Sequence, residues 1–187
     1  MKALPSVIFN HPVSEAVLTQ ARAIKLLILD VDGVLTNGEI YITASGEEIK
    51  AFNTLDGHGL KMLQKSGVQL AIITGRDAAG VAHRARGLGI DHYLAGIHDK
   101  RSAYLELIAK LGLQPEQCAY IGDDVVDLPV MVRCGLPVAV PEAHAFTLQH
   151  AAYVTQRNAG KGAVRELCDL IMDAQGTLQA ALEEYIK

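Results

Sequence analysis

LLILDVDGVLT, residues 26–36, is the stretch on which the fold reading turns. Four aliphatic residues in a row, without polar alternation, describe a short strand buried on both faces, as in a parallel sheet. The run ends at Asp30-Val31-Asp32-Gly33, so two carboxylates fall where a strand opens into a glycine turn. Burying neighbouring acids is costly unless a cation or hydrogen bonds compensate. A divalent cation is the natural compensation, and Mg²⁺ favours a few carboxylates, water and substrate phosphate over a cage built wholly of protein. A pair of turn aspartates capping the next segment is the plainer alternative.

Working outward, short apolar runs recur at 24–29, 68–73, 93–95, 119–121 and 138–140, each bounded by Gly, Asp or Pro. Between them, 60–66, 77–86, 100–111 and 128–134 read as helices, with a leading helix over 14–22 capped by Ser14 and a closing one over 162–173. This alternation predicts an α/β fold with a doubly wound, Rossmann-like parallel sheet, whose ligands bind beyond the carboxyl ends of the strands. One segment departs from the rhythm. EIYITASGEEIKAF, residues 39–52, places strand residues on both sides of the turn Ala44-Ser45-Gly46-Glu47. It predicts an inserted β-hairpin at about 38–52 in place of a cap domain, since helix and strand resume too soon for a separate lid. Residues 1–187 then form a single domain with a tail at 176–187, where Leu178, Leu182 and Ile186 repeat every four residues as in an amphipathic helix or a segment packed on another subunit.

Composition bounds the function. A chain of 187 residues, 50% hydrophobic and 20% charged, fits one globular domain. Seventeen Lys and Arg against 21 Asp and Glu leave a formal charge of −4, which argues against a nucleic-acid binder while allowing a local basic pocket for a small anion. Cys118, Cys134 and Cys168 are an odd number set among apolar residues, as expected of buried thiols in a reducing cytoplasm. The first 25 residues carry Pro and charges where a secretion signal needs an unbroken apolar core, and no run approaches a membrane span. The seven histidines form no HxH or HExxH pattern, so zinc is not expected; His58 could line the pocket or lie on the surface.

The other strand ends supply further chemistry. Thr74-Gly75-Arg76 offers a hydroxyl, a flexible amide and a guanidinium suited to phosphate oxygens or a substrate acid. Lys100 opens a helix, where its charge opposes the helix dipole, a misfit that a functional role would explain. Gly122-Asp123-Asp124 adds two acids, and Asp127, just before Leu128-Pro129, has the position of a helix N-cap. Gly160-Lys161-Gly162 is a basic turn that either approaches phosphate or is a plain loop.

In that order, Asp-x-Asp, Thr, Lys and Gly-Asp-Asp resemble the four motifs of the haloacid dehalogenase superfamily over roughly residues 24–172. The resemblance implies Asp30 as nucleophile, passing through an aspartyl-phosphate, and Asp32 as general acid and then base. It implies Mg²⁺ on the Asp30 carboxylate, the Asp32 carbonyl and Asp123, with Thr74 and Lys100 gripping phosphate oxygens and Asp124 orienting Lys100 or the metal's surroundings. DVDGVLTNGEIYI, GEEIKAFNTLDGHGLKML, IITGRDA, DKRSAY, PEQCAYIGDDVVDLPVM and AAYVTQRNAGKGAVRELCDLI narrow it further. They are similar to the 3-deoxy-D-manno-octulosonate 8-phosphate (KDO 8-phosphate) phosphatase family, which serves lipopolysaccharide synthesis in Gram-negative bacteria. That family implies a capless homotetramer whose hairpins associate as a barrel and whose neighbouring subunit helps to close each site. It also implies sugar-acid contacts from Asp32, from Asn53-Thr54-Leu55-Asp56-Gly57, and from Lys61, Gly75, Arg76, Arg84 and Lys100. Lys61 stands where some members carry arginine, keeping the charge without the bidentate fork.

Three other readings stay open on sequence. A phosphatase for a related nine-carbon sugar-acid phosphate would use the same residues. A receiver-like signalling domain also uses paired acids, Thr and Lys, although receivers place the acid pair before the phospho-acceptor and here Asp30-x-Asp32 comes first. A non-catalytic regulatory subunit would not need the intact Asp32.

Overall fold

The computed structural model describes residues 12–187; the part of the leader reading that falls on residues 1–11 lies outside them. Ser14 accepts a hydrogen bond from the Val17 amide at 3.3 Å and caps α1, Glu15–Arg22. The first strand, β1, Leu26–Leu29, is buried along its whole length, as its unbroken aliphatic run predicts. Five further strands join it in one sheet, each parallel to its neighbour: β4, Gln69–Ile73; β5, His92–Leu94; β6, Cys118–Gly122; β7, Leu136–Ala139; and β8, Tyr153–Val154. Their order, β5-β4-β1-β6-β7-β8, puts β1 at the centre. From β1 the chain winds outward through β4 and β5, then crosses to β6 and winds outward again. The resulting switch in direction opens a crevice at the carboxyl end of β1, the place where such sheets bind ligands.

The inserted segment forms its own two-stranded antiparallel sheet, β2, Tyr41–Ile42, against β3, Glu48–Ile49. Ile40, Tyr41, Ile42 and Ile49 are all exposed on it.

Four elements differ from the sequence reading. The helix expected from residue 60 starts earlier, as α2, Thr54–Lys65, because the Asn53 side chain accepts from the Leu55 amide at 2.8 Å and begins the helix ahead of its apolar stripe. The helix expected over 128–134 is only α5, Leu128–Met131. The two-residue β8 and the four-residue α6, Ala145–Leu148, are too short to leave a periodic signal. The remaining helices are α3, Ala79–Leu88; α4, Lys100–Leu111; α7, Ala163–Ala174; and α8, Leu178–Glu183. Helix α7 is the most thoroughly buried and packs against α1 and α2. In the tail, Leu178 is buried and Leu182 packs on the core, but Ile186 is 83% exposed, so the four-residue stripe stops short of its last member. All three cysteines are free, Cys118 and Cys168 buried and Cys134 partly so. Among the described residues no helix is long and apolar enough to cross a membrane.

Candidate active site

The register of the sheet assembles the site. Leu29 pairs with Ile72 of β4 and with Ile121 of β6, so Asp30, Ile73 and Gly122 stand level, one residue before Thr74 and Asp123. The Asp30 amide donates to the Ile121 carbonyl at 3.1 Å, holding the nucleophile candidate to the sheet edge. Asp30, Thr74 and Lys100 are all buried.

Lys100 reaches across the crevice. Its ammonium lies 2.9 Å from Asp30 Oδ1 and 2.7 Å from Asp127 Oδ1, with the Tyr120 hydroxyl at 3.3 Å. Its place in the first turn of α4 is unfavourable to the helix, whose amides are capped instead by Asp99. The two buried carboxylates explain the misfit. Burial disfavours the ammonium, but Asp30 and Asp127 outweigh it and hold the pKa above the ordinary lysine value.

Asp127 is the residue that sequence reading undervalued. As an N-cap it fails, since its side chain makes no capping bond to α5. Its carboxylate turns back into the crevice, wholly buried, and spends all four acceptor positions there. Oδ1 takes Lys100 and the Tyr120 hydroxyl, at 2.7 and 2.6 Å, and Oδ2 takes the Asp123 and Asp124 amides, at 2.9 and 3.2 Å. Asp127 therefore fixes both the lysine and the loop that carries Asp123. The role expected of Asp124 thus falls to Asp127: Asp124 is exposed and its carboxylate accepts from the Val125 amide.

Carboxylate oxygens of Asp30, Asp123 and Asp127 all lie within 4.8 Å of one another, close enough to share a metal ion. Their electrostatics ask for one. Burial, with the Asp127 charge second, pushes Asp30 up to about 6, and burial with Asp127, Asp30 and Asp124 pushes Asp123 up to about 7. A hard divalent cation with oxygen ligands fits this cluster, and because Asp127's lone pairs are engaged, Asp30 and Asp123 are the carboxylates left to face it. The glycines agree. Gly33 sits at φ +79°, and a Cβ there would come 2.1 Å from Asp123 Oδ2; at Gly122 one would come 2.5 Å from the Asp127 carboxyl carbon.

Asp32 lies apart from this cluster, at the crevice mouth. One carboxylate oxygen pairs with Lys50, just beyond β3, and the other lies 3.8 Å from Arg76 Nε. Lys50 gave no sequence signal beyond being a charged residue in a hairpin. Together with Glu48, Arg76 and the turn through Gly80, it lines an open groove of about 620 Å³. Gly75 is exposed beside Arg76, and Thr74 Oγ1 accepts from the Arg76 amide at 3.4 Å.

The stretch 53–57 splits. Asn53 donates to the Gly160 carbonyl at 3.2 Å, and Thr54 and Leu55 are exposed. Asp56 is buried instead under the N-terminus of α7, where it accepts from the Gly162 and Arg165 amides at 3.3 and 2.8 Å. Burial raises its pKa while those amides oppose the rise. Its carboxylate thus serves the capping of α7, which the left-handed Gly162 cannot cap with a side chain. Arg84 reaches back to the Asn53 carbonyl at 3.3 Å and lies over the Phe52 ring, while Lys61 is exposed on α2. His58 is exposed and meets the Tyr185 ring edge-on at 5.4 Å, outside the crevice. The Gly160 amide docks on the Val34 carbonyl at 3.0 Å, closing the loop over the segment that follows Gly33.

A parallel sheet whose central strand ends in a buried aspartate, flanked by threonine, lysine and acidic loops, defines a haloacid dehalogenase-like hydrolase. A family model of that description matches residues 39–135, just over half of the chain. The chain is 53% identical over 170 residues to 3-deoxy-D-manno-octulosonate 8-phosphate phosphatase KdsC of Yersinia pestis, covering 91% of each. To the namesake of Escherichia coli K12 it is 50% identical over 175 residues, 94% of this chain and 93% of that one. The crystal structure of a phosphatase of the same name from Moraxella catarrhalis, in complex with magnesium ion, phosphate ion and a KDO molecule, superposes with a TM-score of 0.89 at 43% identity, covering 90% of this chain and 97% of that one. The chain belongs to the 3-deoxy-D-manno-octulosonate 8-phosphate phosphatase family.

Proposed function

We propose that this protein is a Mg²⁺-dependent phosphatase that hydrolyses 3-deoxy-D-manno-octulosonate 8-phosphate to the free sugar acid and inorganic phosphate, a step of lipopolysaccharide synthesis. The observation that carries the reading is the buried Asp30 carboxylate, 2.9 Å from the Lys100 ammonium at the carboxyl end of the central strand.

Asp30 attacks phosphorus, forming an O–P bond as the ester P–O bond breaks, and the departing sugar oxygen takes a proton from Asp32. Asp32, now a carboxylate, accepts a proton from water as that water attacks phosphorus. The Asp30–P bond breaks, phosphate leaves, and both aspartates return to their starting state. Lys100, fixed by Asp127, supplies charge to the phosphoryl oxygens as negative charge gathers on them, and Thr74 donates its hydroxyl to one of them. Asp30, the Asp32 carbonyl and Asp123 would hold Mg²⁺, which when bound lowers the repulsion between a carboxylate nucleophile and an anionic phosphate.

For the sugar acid, Arg76 and Arg84 offer guanidinium forks to its carboxylate, with Asn53, Thr54, Leu55, Lys61 and Gly75 around it, while the buried Asp56 and Gly57 support that stretch from beneath. The apolar residues exposed on the hairpin support assembly as a homotetramer in which a neighbouring copy completes the groove beside Arg76. Residues 1–187 act as one phosphatase domain, and its place is the cytoplasm. The test is phosphate release from the eight-carbon substrate and from a nine-carbon sugar-acid phosphate, with and without Mg²⁺, for the native chain and Asp30→Asn. Mg²⁺-dependent turnover of the eight-carbon ester, lost in Asp30→Asn, supports the reading; preference for the nine-carbon ester, or full turnover by Asp30→Asn, overturns it.

A further inference from the structure

Four charges close a ring at the mouth of the site. Lys50 pairs with Asp32 Oδ1 and lies 3.5 Å from Glu48 Oε2; Glu48 Oε1 accepts from Arg76 at 2.6 Å; and Arg76 Nε lies 3.8 Å from Asp32 Oδ2. The Lys50 side chain is only 4% exposed, whereas Arg76 is 46% exposed. A lysine ordinarily keeps its ammonium in water, and a covered one depends on its carboxylate partner to offset the lost hydration. Lys50 leaves the hairpin immediately after β3, whose ladder has only two residue pairs, so the hairpin has little rigidity of its own. The Lys50–Asp32 pair ties the base of that hairpin to the carboxylate.

We propose that Lys50 is a positioning residue for proton donation: by donating to Oδ1 it holds the Asp32 carboxyl group so that Oδ2 carries the proton given to the leaving oxygen, and thereby makes leaving-group departure depend on the seating of the inserted hairpin. Of the two cations on Asp32, Lys50 is the one suited to this task. Arg76 is held by Glu48 and lies 3.8 Å from Asp32, with its guanidinium side chain 46% exposed to the groove, whereas the Lys50 side chain is almost wholly covered and donates directly to Asp32. A general acid is useful only within hydrogen-bond reach of its target, and small displacements cost rate steeply.

This rests on Asp32 being the proton donor, and the experiment separates the two claims. The kcat/KM values of phenyl phosphate and p-nitrophenyl phosphate, which report steps up to departure of the leaving group, are measured in Mg²⁺ for the native chain, Asp32→Asn, Lys50→Met and Lys50→Arg. Phenolate needs protonation far more than the weakly basic p-nitrophenolate does. The ratio of the two values is unaffected by the fraction of correctly folded enzyme, so a destabilised variant still reports. Lys50→Met should lower the phenyl ester about tenfold more than the p-nitrophenyl ester, and Lys50→Arg, which keeps the charge, should bring the ratio back to within about threefold of native. Equal losses on both esters in Lys50→Met, with an unequal loss in Asp32→Asn, overturn the role of Lys50 alone. Equal losses in Asp32→Asn overturn the assignment of the donor, and the role of Lys50 with it.

Discussion

Replacing Asp127 by asparagine keeps the shape of a side chain that is 0% exposed and removes its charge. The native carboxylate accepts four hydrogen bonds, two on each oxygen. An amide has one oxygen and one NH₂ group, so whichever way it lies, the NH₂ meets donors. Facing Oδ2's former partners it opposes the Asp123 and Asp124 amides. Facing Oδ1's it opposes Lys100, though Tyr120 could turn its hydroxyl to accept. Each buried donor left unpaired costs about 1–3 kcal/mol. Against this, losing the negative charge relieves the repulsion that holds Asp30 and Asp123 up. The net expectation is a loss of about 2–4 kcal/mol, at the low side of what breaking one half of a buried ion pair costs. Turnover should fall about 10- to 100-fold, because Lys100 loses one of its two anchors. Urea unfolding of the metal-free protein at neutral pH and steady-state phosphate release in Mg²⁺ measure the two effects. If the stabilities agree within about 0.5 kcal/mol and turnover is unchanged, Asp127 does not hold Lys100 and the loop together.

Because Asp30 and Asp123 are raised to about 6 and about 7, the folded metal-free protein binds protons more tightly than the unfolded chain, so their contribution is present below the ordinary carboxylate range and lost as pH rises through those values. Thermal midpoints in chelator should therefore fall between pH 5 and 8, Mg²⁺ should raise the midpoint more at pH 8 than at pH 5.5, and Asp123→Asn should flatten the trend; a midpoint that rises over this range would contradict it. Gly33→Ala should cost about 1–3 kcal/mol and weaken Mg²⁺ binding, read by calorimetric titration, since the φ of +79° is strained for alanine and its Cβ would meet Asp123. Ile42→Asp with Ile49→Asp, on the exposed hairpin faces, should shift the sedimentation of the protein toward smaller species; an unchanged profile would remove the hairpin from the assembly.

Five of the six sheet strands were legible because a parallel sheet demands short, unbroken aliphatic runs, and the runs ending at Leu29, Ile73 and Ile121 lead into residues that the crevice uses. Lys100 was legible as a charge in the wrong place for its helix. Asp127 was hidden because an aspartate before Leu-Pro has a local explanation, an N-cap, and only the return of the chain shows the carboxylate turned the other way. The start of α2 was hidden by Gly57 and Gly59, which break the apolar period of a helix that Asn53 begins. Lys50 could not be read at all: its partner is 18 residues away, and alternation in a hairpin says which face a residue takes but not which charge it will meet.

The central claim is that Asp30 becomes phosphorylated during turnover. Mixing enzyme, Mg²⁺ and the eight-carbon sugar-acid phosphate, quenching in acid within a single turnover and mapping the phosphoryl group by mass spectrometry tests it directly. The modification should fall on the peptide carrying LLILDVDGVLT, at Asp30, and be absent from Asp30→Asn; a phosphoryl group on any other residue, or single-turnover phosphate release with Asp30 never modified, would contradict it.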